Sequence, residues 1–160
     1  MRGLRDWIAL FAFILLSEGA GTIGSIFTAP AIGSWYAELE KPAIAPPNWV
    51  FAPVWTTLFL LMGVAAFFVW KRGWRREGVR KALGVFLVQL ILNVLWSFIF
   101  FGQHSPGGAF AEIIVLWLAI AATIIFFARI SKPAAWLMTP YIAWVTFAAY
   151  LNYMLWTLNS

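Results

Sequence analysis

Three sets of residues have the types and spacing to do chemistry together. Gln89, Asn93, Trp96 and Phe100 recur at i, i+4, i+7 and i+11, so in a helix they share one face. Tyr141, Trp144, Ala148 and Asn152 make a second stripe of the same kind, and Trp55, Phe59 and Met62 a third. Each stripe joins flat aromatic or soft apolar surface to hydrogen-bonding groups, or runs beside a stripe that does. A single one also fits ordinary helix packing. Three together fit a shared pocket for a planar, mostly apolar guest, which indoles and phenyl rings contact over a large area while amides and indole N–H groups fix its orientation.

The rest of the chain excludes most other chemistry. There is no cysteine, hence no disulfide frame or thiolate site, and the only histidine, His104, stands in the polar segment "GQHSPGG". No metal-binding constellation, nucleophile–base pair, phosphate loop or dinucleotide fingerprint is present. Glu18 and Glu112 are isolated acids within apolar runs. The first is a candidate for ion or solute transport, or a protonated hydrogen-bonding group; the second sits near a helix start, where the helix dipole favours an anion.

The elements that carry these residues are set by composition. The 160-residue chain is 63% hydrophobic, 11% charged, with mean hydropathy +0.85 and 11 tryptophans. A water-soluble domain of this size has too little interior to hide so much apolar surface, so the expected solvent is a lipid bilayer. Five runs reach the roughly 20 residues a helix needs to cross it: 7–27, 49–70, 82–101, 109–130 and 134–158. The first is no cleaved signal, since Ser17, Gly21 and Ser25 carry the helical pattern past a signal core. The prediction is an all-α, five-helix membrane bundle forming one domain over residues 1–160, its small residues marking close helix contacts.

Charge orients the bundle. Arg2, Arg5, Lys71, Arg72, Arg75, Arg76, Arg80, Lys81, Arg129 and Lys132 fall on the N-terminal side and Lys41 alone on the other. The positive-inside rule then puts the N-terminus in the cytoplasm and the C-terminus outside, for a plasma-membrane protein. The net charge of +5 therefore reads as a topology signal, with "KRGWRREGVRK" facing anionic lipid; no nucleic-acid partner is expected. Trp7, Trp49, Trp70, Trp136 and Trp156 fall at span ends, as in an interfacial belt, whereas Trp55, Trp96, Trp117 and Trp144 fall inside their spans. Before the second span, "EKPAIAPPNWVFAPVW" places Pro42, Pro46 and Pro47 over the outer end of the bundle. Three fixed φ angles make this connection a stiff strap, suited to be a lid over a pocket mouth.

These segments resemble one family closely. "WYAELEKPAIAPPNWVFAPVWTTLF" at Trp35–Phe59, "QLILNVLWSFIFFG" at Gln89–Gly102 and "PYIAWVTFAAYLNYMLW" at Pro140–Trp156 are similar to the tryptophan-rich sensory protein/translocator protein (TspO, peripheral benzodiazepine receptor) family. The resemblance covers nearly the whole chain. It implies a dimeric five-helix bundle with a pocket beneath the loop joining helices 1 and 2. It also implies binding of porphyrins and haem-related tetrapyrroles as ligands, with no obligatory cofactor, and of sterols and isoquinoline carboxamides. Carried over by position, the pocket is lined by Trp55, Asn93, Trp96, Trp144, Phe147 and Ala148. The stripes add Phe59, Gln89 and Tyr141, and the lid comprises Trp35, Lys41, Pro42, Pro46 and Pro47. In bacterial relatives, tryptophans matching Trp55 and Trp144 are linked to light-dependent breakdown of protoporphyrin, so the expected activity is translocation or sensing, with an enzyme as the alternative. One departure bears on sterols: Tyr153 is followed by "MLWTLNS", without the basic residue of the animal sterol pattern. A solute transporter working through Glu18 is the third reading; the lack of internal repeats weighs against it.

Overall fold

The computed structural model describes residues 3–160; Arg2, one of the topology signals, lies outside them. All regular structure among the described residues is helical, and five helices are long and apolar enough to cross a membrane. The elements are α1 (Leu4–Ile32), α2 (Trp35–Glu38), α3 (Asn48–Trp70), α4 (Glu77–Ser97), a π-helical turn (Phe98–Gly102), α5 (Pro106–Ala128) and α6 (Lys132–Leu158).

Every predicted span corresponds to one long helix, with shifted ends. α1 exceeds its predicted run at both ends; Pro30 falls in its last turn and so removes a single ladder bond. α5 and α6 start three and two residues before the predicted boundaries, at built caps. Ser105 Oγ accepts from Gly108 N–H and Ser131 Oγ from Ala134 N–H, with Pro106 and Pro133 in the first turns. α5 ends at Ala128, short of the predicted Ile130, because the chain turns there into Ser131.

The spanning helices close into a ring: α1 packs on α3, α3 on α6, α6 on α5, α5 on α4, and α4 back on α1. In lipid such contacts depend on close backbone approach. The tightest is the α1–α3 seam, where a Cβ added at Gly63 would lie 2.6 Å from Ile14 Cα and 2.9 Å from Phe13 O. A large core packs the basic half of the ring around Met62, Phe86, Phe127 and Met138, and a smaller one lies at the other end around Tyr36, Phe100, Leu151 and Leu155. Ile8, Phe11, Leu15, Ile23 and Ile26 of α1 face outward, as lipid-facing side chains do. Lys71 pairs with Asp6 at 3.3 Å and Arg5 lies over Trp70 at 5.2 Å, tying the first turn of α1 to the loop after α3.

The strap is more structured than proline content predicts. Its first residues, Trp35–Glu38, form α2, and only the stretch through Pro47 is non-helical, with a turn in which Ala45 N–H donates to Pro42 O at 3.0 Å. Pro47 is the N-cap of α3, one residue outside the helix, with φ −56° and ψ 145°. Asn159 clamps the strap from the C-terminus: its Oδ1 accepts from Glu40 N–H at 2.9 Å and its Nδ2 donates to Glu40 O at 3.0 Å.

Candidate functional site

Beneath the strap, between α1, α3, α4 and α6, is a cavity of about 400 Å³. This lies within the range of about 300–1,000 Å³ typical of small-molecule sites. α3 contributes Phe51, Trp55 and Phe59, α4 Asn93 and Trp96, and α6 Trp144, Ala148 and Asn152. The π-helical turn adds Phe100 and Phe101. Its wider winding, closed by Gln103 N–H donating to Phe98 O at 2.9 Å, sets Phe100 against Trp96 with ring centroids 5.1 Å apart. Trp55 meets the Phe59 ring at 5.7 Å and the Tyr141 edge at 6.2 Å, while Phe51 joins Trp144 at 6.1 Å. These rings meet edge to face or tilted, apart from the stacked Trp96–Phe100 pair, and edge-to-face and offset-stacked contacts are the arrangements their quadrupoles favour.

The polar groups divide into those already satisfied and those facing the cavity with capacity to spare. Trp96 Nε1 donates to Asn152 Oδ1 at 3.0 Å, and Asn152 Nδ2 donates to Pro106 O at 2.7 Å, so this indole is locked. Asn93 Nδ2 donates to the Tyr141 hydroxyl at 2.8 Å, which donates onward to Gln89 Oε1 at 2.8 Å; Gln89 Nε2 approaches Met62 Sδ at 3.7 Å. By contrast, neither Trp55 nor Trp144 uses its indole N–H within the described residues.

The predicted residues therefore separate. Trp55, Phe59, Asn93, Trp96, Trp144 and Ala148 come together in the wall. Gln89 and Tyr141 do not: both are fully buried, hold Asn93 from behind and have no cavity surface. Phe147 packs on Trp144 at 5.4 Å outside the wall. Of the strap residues, Trp35, Lys41, Pro42, Pro46 and Pro47 stay out of the wall, which takes Tyr36 and Asn48 instead. Trp35 stacks on His104 at 4.5 Å and Lys41 Nζ lies 4.8 Å over the Tyr36 ring. Burial pushes the Tyr36 phenol pKa up. Trp117, inside its span, points outward and donates to Thr146 Oγ1 at 2.8 Å. Glu112 is buried, away from the wall, with neither carboxyl oxygen hydrogen-bonded among the described residues, and His104 is exposed with φ 52°. Among the described residues no cluster could hold a metal ion.

The contribution of α1 was missed. Glu18, Thr22, Ser25 and Ala29 line the cavity at i, i+4, i+7 and i+11, the same period as the α4 stripe. In the sequence Glu18 stands out as a candidate for ion or solute transport and not as part of this wall, and the small side chain of Ser25 looks like packing. Two neighbours on this helix do pack: a Cβ at Gly21 would strike Phe59 at 2.6 Å and one at Gly24 would lie 3.1 Å from Ser97 Oγ. Thr22, Ser25 and Ala29, with Ala52 and Thr56 of α3, are exposed as well as lining, so the cavity has an open side between α1 and α3.

The sequence profile of the TspO/MBR family matches residues 13–157, which includes every wall residue named above. The chain belongs to the TspO/MBR family. It is 43% identical over 155 residues to the tryptophan-rich protein TspO of Chlorobaculum tepidum, covering 97% of this chain and 98% of that one. It is 38% identical over 156 residues to the translocator protein of Ovis aries (96% and 92%). It is 36% identical over 154 residues to the tryptophan-rich sensory protein of Cereibacter sphaeroides (96% and 93%). This TspO/MBR chain is thus an integral multi-pass membrane protein matching its relatives nearly end to end.

Proposed function

We propose that this protein is a membrane translocator or sensor that binds porphyrins and related tetrapyrroles, and more weakly sterol-like lipids, in the cavity beneath the α1–α3 strap. The observation that carries the reading is the convergence of Trp55, Trp96 and Trp144 from three helices on one cavity, two of them with unused indole N–H groups. A tetrapyrrole offers what such a wall lacks: a flat apolar face for the rings and polar edge atoms for the indoles. The translocator and sensory names of the relatives support the same reading. In the proposed orientation the N-terminus is cytoplasmic, the strap and C-terminus are outside, and the chain works as a homodimer.

The test is a protoporphyrin titration of purified protein. Trp55→Phe combined with Trp144→Phe should weaken binding by about 1–3 kcal/mol through lost aromatic contact and lost donors. Trp49→Phe with Trp136→Phe, at positions 75% and 73% exposed, is the control. Equal effects of the two pairs would contradict the reading. The same indoles favour a second reading, light-dependent oxidative degradation of protoporphyrin with Trp55 and Trp144 as electron partners. Incubation in light and dark separates the two: a new product spectrum marks turnover, and quenching alone marks binding.

A further inference from the structure

Among the described residues the cavity wall contains one carboxyl group, that of Glu18, and no basic side chain. Glu18 is also the deepest lining residue on its helix. It lies 14 positions before Ile32, the outermost lining residue of α1, or about 21 Å at roughly 1.5 Å per residue. The deepest wall residues of the other helices are Phe59, Asn93 and Trp144, so the acid stands at a floor of two aromatic rings and one amide. Its backbone carbonyl accepts from Thr22 Oγ1 at 2.9 Å, but no hydrogen bond or ion pair within the described residues engages its carboxyl group. An acid at membrane depth is costly, and a cationic partner offsets that cost.

Charge decides among the guests this floor can accept. An anionic head would place a second carboxylate or phosphate beside Glu18 with no cation to pair either. A neutral head leaves Glu18 as it is. A protonated amine gains both the carboxylate and the negative faces of the surrounding rings, which attract cations.

We infer that Glu18 is the counter-ion for a further class of guest, planar lipophilic amines, which seat the protonated nitrogen at Glu18 and the ring system between Trp55, Phe59 and Trp144. The inference rests on the reading of this cavity as the guest site and adds a charge rule to it. An anionic tetrapyrrole binds in the opposite sense, with its carboxylates toward the mouth and Lys41.

The experiment compares 9-aminoacridine, a planar cation at neutral pH, with acridine, its neutral analogue. Both are titrated by fluorescence into protein in phosphatidylcholine nanodiscs, and the readout is the ratio of the two affinities. Wild type should prefer the cation, and Glu18→Gln, which keeps shape and removes charge, should lower the ratio about tenfold. Glu18→Asp should retain part of the preference and covers the case in which the Gln variant fails to fold. Glu38→Gln removes an exposed acid of α2 and should leave the ratio unchanged. Protoporphyrin should move the other way, binding Glu18→Gln about two- to threefold more tightly. A ratio unchanged by Glu18→Gln, or lowered as much by Glu38→Gln, overturns the inference. Failure of protoporphyrin to bind wild type would overturn the tetrapyrrole reading instead, and the amine ratio is read independently of it.

Discussion

Tyr141→Phe deletes one oxygen and breaks two hydrogen bonds. The hydroxyl accepts from Asn93 and donates to Gln89, both at 2.8 Å, and Tyr141 and Gln89 are fully buried. A buried polar group left without a partner costs about 1–3 kcal/mol. The two orphaned groups are not equivalent. Asn93 lines the cavity and can recruit water, whereas Gln89 Oε1 has no alternative donor in the described network. The Gln89 cost dominates, giving a net loss of about 1–3 kcal/mol and not twice that. Hydrogen bonds in membrane bundles average nearer 0.6 kcal/mol because the unfolded helices find other partners. Complete burial places this one above that average. The assay is reversible unfolding in mixed micelles against increasing denaturing detergent. Gln89→Leu combined with Tyr141→Phe, which removes both partners, should recover most of the loss. Protoporphyrin affinity should change little, since Tyr141 has no cavity surface. A stability change below about 0.5 kcal/mol, or lost binding with stability intact, would refute the assignment of Tyr141 as a buried strut.

Three further outcomes are expected. Gly63→Ala should cost about 1–3 kcal/mol, because its Cβ meets the Ile14 backbone at 2.6 Å and cannot be relieved by a rotamer change; Gly84→Ala, whose Cβ meets nothing within 4 Å, should be neutral or stabilising in the same unfolding assay. Asn159→Ala removes both bonds to Glu40, and with each net bond contributing about 0.5–1.5 kcal/mol, protoporphyrin should dissociate at least about fivefold faster in stopped-flow chase experiments. A reporter fused after Ser160 should be extracytoplasmic and one in the 71–76 loop cytoplasmic, as the distribution of Lys and Arg requires.

Much of this was legible in the sequence because lipid imposes simple rules. Backbone groups must be satisfied within each span, so length and apolar content locate the helices without knowledge of their partners. Stripe periodicity located Trp55, Asn93, Trp96 and Trp144 for the same reason. What stayed hidden depends on contacts between helices. Gln89 and Asn93 lie one turn apart on one face, yet the first is behind the wall and the second in it, a difference set by where Tyr141 arrives from α6. The π-helical turn that advances Phe100 and Phe101 has no signature in "SFIFFG". The α1 stripe had the right period, but it is interleaved with Gly21, which both lines the cavity and packs against Phe59. Asn159, a polar residue at the end of the last helix, gave no hint that it holds the strap 119 residues earlier.

The central claim is that a planar guest occupies the cavity between α1, α3, α4 and α6. The most direct measurement fills that space from inside. Ala148 lines the wall on α6, whereas Leu118 of α5 is 58% exposed on the outer face of the bundle. Both are changed to Phe, and protoporphyrin affinity is measured by fluorescence titration alongside thermal unfolding. The account predicts that Ala148→Phe weakens binding at least about tenfold while the protein stays folded, a loss of about 1.4 kcal/mol or more, and that Leu118→Phe binds like wild type. Undiminished binding by a folded Ala148→Phe protein would place the guest elsewhere and contradict the account.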